Sequence, residues 1–167
     1  MITRFPPRAL LRIVFFLCII CLQYKATSAS KAPLAWTTGT KTLLYIRIDF
    51  SDVPGEPITV PEVQEIMQKV NAFYAANSGG KIQFTTTITK VLRMPHTAAW
   101  YVADNHVNRR IPEDARLVAK EAGYDVDRYQ LEIVYCGRFS PKRVGGGLHG
   151  RKGIFLNDAK GFGTTAH

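Results

Sequence analysis

Residues 42–50 read TLLYIRIDF, a near-continuous apolar run rich in β-formers. Successive side chains of a strand point to opposite faces, so a strand solvated on one side alternates between apolar and polar residues. This run does not alternate. It therefore predicts a central strand covered on both faces, and such a strand belongs to a sheet of the α/β kind.

Working outward, residues 51–57 (SDVPGEP) form a loop with a Pro54-Gly55 turn. Thr59 and Glu62 then have the spacing of a capping box, with Pro61 in the first helical turn. Val63, Ile66, Met67, Val70, Phe73 and Tyr74 recur at helical spacing and are read as a core-facing stripe. Residues 77–80 (NSGG) supply the helix stop. Residues 81–92 (KIQFTTTITKVL) alternate, with Ile82, Phe84, Thr86, Ile88 and Leu92 on one side and Gln83, Thr85, Thr87 and Thr89 on the other. That is the pattern of a half-exposed strand.

Residues 94–111 are less regular and read as an insertion loop. A shorter helix is expected over residues 113–122, closed by Gly123. Residues 129–137 predict a buried strand, 139–151 a glycine-rich loop, and 153–157 a short strand. The stretch GFGTTAH, residues 161–167, reads as a turn and the first residues of a helix. There is no internal repeat and no linker long enough to split the chain. This order predicts an α/β (α+β) fold: a mixed, mostly parallel twisted sheet of about four to five strands with two helices.

The N-terminus has a different character. Arg4, Arg8 and Arg12 precede an apolar run of ten residues, 13–22 (IVFFLCIICL), and a polar, small-residue stretch in which Thr27 and Ala29 suit cleavage after Ala29. Residues 1–29 are read as a secretory signal peptide, residues 30–40 as a leader, and 41–167 as the domain. Ten apolar residues are too few for a membrane span, which needs about 20, so no stable membrane anchor is expected. A secreted, extracellular or periplasmic location follows.

The formal charge is +9. Cleavage after Ala29 would leave 18 basic residues against 13 acidic ones, a net of +5. The remaining basic residues are scattered and lack aromatic interleaving, so no nucleic-acid partner is expected. The same cleavage reduces three cysteines to one, Cys136, which sits in an apolar run and is read as a buried free thiol.

Residues 145–150 (GGGLHG) match G-x-G-x-x-G, but no strand immediately precedes them and no helix opens after them. The match is read as a loop against a sheet edge or cleft, not as a dinucleotide site. His96, His106, His149 and His167 are not spaced as a local metal cluster. There is no G-x-S-x-G elbow, and Cys136 lacks a catalytic context.

Four segments carry a resemblance that gives His167 more weight: residues 45–55 (YIRIDFSDVPG), 70–84 (VNAFYAANSGGKIQF), 122–131 (AGYDVDRYQL) and 163–167 (GTTAH). Together they resemble the gametolysin-type secreted zinc metallopeptidases of the metzincin group, over residues 41–167. The resemblance implies a metzincin-like upper subdomain in which zinc is the cofactor and a peptide or protein is the substrate. It implies that His167 is the first metal ligand. It also implies that the strand before the zinc helix, including Gly150, Lys152, Gly153, Ile154 and Phe155, pairs with extended substrate.

In that family a glutamate follows the first histidine as general base and two further histidines complete the zinc site. None of these three is among the 167 residues. The sequence is therefore read as the N-terminal part of an endopeptidase catalytic domain, cut at His167, unable to hold zinc and inactive by itself. The alternative is a secreted, non-catalytic protein-binding module.

Overall fold

The computed structural model describes residues 36–103, 107–139, 146–147, 153–158 and 161–166. The expected signal peptide and most of the expected leader lie outside these residues. Strand β1 (Gly39–Asp49) lies inside the sheet, with a strand on either side, and its side chains divide by parity. Leu44, Ile46 and Ile48 join one buried cluster, while Leu43 and Tyr45 join the other. The two-sided burial expected from its sequence is what the structure shows. The strand starts at Gly39, so the last residues of the expected leader, Gly39 and Thr40, already pair with Ile82 and Gln83.

Helix α1 (Val60–Ser78) follows, with Thr59 as its N-cap. Thr59 Oγ1 accepts from the Glu62 N–H at 3.3 Å, and Glu62 Oε2 accepts from the Thr59 N–H at 2.7 Å. This capping box satisfies two N–H groups that a helix start leaves without partners. Gly79, in the left-handed region at φ 62°, closes the other end. Val63, Ile66, Met67 and Val70 are buried as the stripe predicted, but Phe73 remains 44% exposed.

Strand β2 (Ile82–Arg93) runs parallel to β1 at one edge of the sheet. The register slips between the Tyr45–Ile88 and Arg47–Val91 pairs, so β2 holds one residue more than β1 there. Beyond a one-residue slip each side chain changes face. Phe84 and Ile88 pack against the α1 side, whereas Leu92 packs on the opposite side. Thr89, expected to face solvent, is 0% exposed. The simple alternation read from the sequence holds only up to the bulge.

The stretch read as an insertion loop contains helix α2 (Ala98–Ala103) and the start of helix α3 (Val107–Glu121). Asp52, far away in the β1–α1 loop, accepts from the Ala98 and Ala99 N–H groups at 2.7 and 3.0 Å. That cap for α2 comes from 46 residues away, which local periodicity cannot reveal. Helix α3 thus begins before the expected residue 113, with Pro112 inside it.

A 3₁₀ turn (Val126–Arg128) leads to β3 (Leu131–Cys136). The remaining elements are β4 (Gly146–Gly147), β5 (Gly153–Asn157) and α4 (Phe162–Ala166). The sheet order is β2-β1-β3-β5-β4. The first four strands of that order are parallel, and β4 pairs antiparallel with β5 at the far edge. The expected α/β class and mostly parallel sheet are therefore present. Helix α1 packs on one face through Val63, Met67 and Val70, and α3 on the other through Ile111, Ala115 and Ala119.

Candidate functional site

Of the expected site residues, Gly153, Ile154 and Phe155 are described, and they lie in β5 beside the short strand β4. Gly153 opens β5 opposite Glu132 of β3, and a Cβ at this position would run into the Glu132 carbonyl. Glycine is thus required here for close approach of two backbones. Ile154 and Phe155 pair with Ile133 and Val134 on one side and with Gly147 and Gly146 on the other. The strand that the resemblance would pair with extended substrate, with Gly153, Ile154 and Phe155, already has neighbours on both sides. Their strand is interior, and Phe155 is fully buried. The edge is instead β4, Gly146–Gly147. The glycine triplet at 145–147 was the available signal, since only its position beside a sheet edge or cleft was legible. Gly150, Lys152, His106, His149 and His167 lie outside the described residues.

The chain leaves β5 through Asp158, which has a φ of 53°. Aspartate is among the few non-glycine residues that enter this region readily. Its N–H donates to the Cys136 carbonyl at 2.9 Å, which fixes the exit from the sheet. Helix α4 then turns back toward α1. The Tyr74 hydroxyl donates to the Ala166 carbonyl at 2.8 Å, a contact across 92 residues.

Between α1, the sheet and α4 lies a cavity of about 150 Å³, lined by Leu43, Met67, Val70, Phe84, Ile133 and Ala166 among others. Glu132 also borders it, but its carboxylate accepts from Arg116 of α3 at 3.3 Å. An apolar cavity of this kind offers contact area and no acid–base pair.

A second depression, of about 110 Å³, sits at the C-terminal ends of β1 and β3 and is lined by Asp49, Phe50, Gly55, Glu56, Pro57 and Gly137 among others. The strand order reverses at β1, and crevices at such reversals are the usual ligand positions of open parallel sheets. Here the charges engage one another. Arg93 donates to both Asp49 carboxylate oxygens, at 2.7 and 2.9 Å, and Asp49 Oδ2 also accepts from Gly55 N–H. Burial pushes the Asp49 carboxyl up, but the Arg93 and Gly55 hydrogen bonds and the Arg93 charge outweigh it and hold it below the usual range.

Other chemistry-bearing groups are quiet. Burial, then the nearby Asp158 charge, pushes the Cys136 thiol far up, so it stays a thiol and not a nucleophile. His96 stacks on Trp100 with centroids 4.0 Å apart. The hydroxyls of Tyr45 and Tyr135 are buried without a hydrogen-bond partner among the described residues, and burial raises both phenols. No three His, Cys, Asp or Glu side chains among the described residues are grouped to hold a metal ion. No helix among them is long and apolar enough to cross a membrane. No family model, curated protein or solved structure matches the chain.

Proposed function

We propose that this chain carries the sheet-bearing part of the catalytic domain of a secreted zinc endopeptidase, of gametolysin type within the metzincin group. The supporting observation is the arrangement around β5. A parallel strand is flanked by a short antiparallel glycine edge, and a helix turns in directly behind it, ending at Ala166, one residue before His167. An extended peptide can add to such an edge through backbone hydrogen bonds, and a Gly-Gly edge puts no side chain in its way.

In this reading His167 is the first zinc ligand, and zinc, when bound in the longer enzyme, would polarise the scissile carbonyl and activate water. The described residues do not make up a ligand set. A lone imidazole does not hold zinc as three ligands do. The residues present act by supplying an edge for substrate and a fixed origin for the helix. The apolar N-terminal run directs the protein out of the cell.

The test is to read the coding sequence beyond codon 167. A glutamate next, with a histidine four residues after His167, supports the peptidase. Any other in-frame continuation overturns it. A stop codon there favours the binding module, which would use the same β4 edge without chemistry.

A further inference from the structure

Strand β2 forms the other edge of the sheet. Residues 82–89 (IQFTTTIT) carry no charge and are rich in β-branched and aromatic residues. Such a run on a sheet edge is the kind that pairs with a second copy of itself. Whether it can do so depends on its outward-pointing backbone groups.

In a strand the N–H and C=O of one residue point the same way, and alternate residues share that direction. On β2 the outward set before the bulge is Ile82, Phe84, Thr86 and Ile88, and it is already partly taken. The Asn71 carboxamide of α1 engages both groups of Phe84. Its Nδ2 donates to the Phe84 carbonyl at 3.0 Å, and its Oδ1 accepts from the Phe84 N–H at 2.6 Å. Ser78 Oγ accepts from Ile82 N–H at 3.0 Å. At the bulge, Tyr124 Oη accepts from Lys90 N–H at 3.2 Å. Among the described residues Thr86 and Ile88 have no such cover on either outward group.

We infer that Asn71 is an edge guard: its carboxamide occupies the strand-pairing groups of Phe84 and so keeps β2 from joining β2 of a second copy of this chain. Ser78 and Tyr124 close the two ends of the same edge. Removing the middle guard joins Phe84, Thr86 and Ile88 into one open run, long enough for antiparallel pairing. This holds whether or not the chain is a peptidase.

The experiment uses the full chain and the Asn71→Ala variant, in which alanine favours the helix that carries it. Sedimentation velocity across a concentration series should show the parent monomeric and the variant associating. Adding Thr86→Pro, which removes an outward N–H and no bond to β1, should return the variant to monomer. Amide exchange gives a second readout that does not depend on association. At low concentration the Phe84 amide should exchange roughly fivefold to tenfold faster in Asn71→Ala, the size expected for one lost hydrogen bond. An unchanged Phe84 amide, a variant that stays monomeric at all concentrations, or association that persists with Thr86→Pro would each overturn the inference.

Discussion

Arg47 Nε lies 2.8 Å from the carbonyl oxygen of Thr89, the residue that β2 carries through its register slip. The Arg47 backbone N–H donates to Thr89 Oγ1 at 3.0 Å, and Nη1 reaches Glu56 Oε1 at 2.7 Å and the Ile58 carbonyl at 2.9 Å. One buried guanidinium thus holds the bulge to the loop that precedes α1. Arg47→Met strands the buried carbonyls of Thr89 and Ile58 and should lower stability by about 2–4 kcal/mol. Arg47→Lys should recover little, because an ammonium cannot span the same planar fork. Urea denaturation midpoints decide both.

The Asp49 carboxyl sits below its usual range because Arg93 and Gly55 favour its charged form more than burial disfavours it. The unfolded chain therefore takes up this proton at higher pH than the folded one. The stabilisation is complete above about pH 4, the ordinary aspartate range, and is lost as pH falls through the lower folded value. Asp49→Asn should flatten the acid limb of the stability curve relative to the parent. An unchanged acid limb would remove Asp49 from the acid response.

Gly153→Ala places a Cβ against the Glu132 carbonyl, where backbone and not a flexible side chain must yield. The β3–β5 pairing has to open locally, and overpacking of this kind amounts to about 1–3 kcal/mol or more. Thermal unfolding of the variant checks the value, and a midpoint equal to that of the parent would show that the strands can separate freely.

Tyr101 Oη donates to Asp114 Oδ2 at 2.7 Å and joins α2 to α3. Burial first, then the Asp114 hydrogen bond and charge, push the phenol far up, so it remains a donor at any physiological pH. Tyr101→Phe should cost about 1.5–3 kcal/mol, the range for a hydrogen bond to a charged group. Denaturant titration gives the number, and a loss confined to α2 would appear as early exchange of its amides.

β1, β2, β3, β5 and α1 were legible because their signals are local: apolar or alternating runs, a capping box and a stop. What escaped depends on distant partners. The cap of α2 comes from Asp52, and the burial of Thr89 comes from Arg47. Phe73 lies on the right helical face, yet a stripe specifies direction and not how far the sheet beneath it extends. At the candidate site the sequence identified β5 but placed residues 146–147 in a loop, because two glycines carry no strand pattern of their own. Gly146 and Gly147 form the edge strand, while His167, Gly150 and Lys152 lie outside the described residues.

The bulge also bears on how this family of shapes can change length. β1 is paired on both sides and divides two separate apolar compartments, so one inserted residue would exchange their contents and break two registers. β2 has one partner and holds its extra residue with Thr89 buried and Leu92, beyond the slip, turned to the other face. Insertions and deletions should therefore accumulate at the rim of this sheet and be purged from its centre.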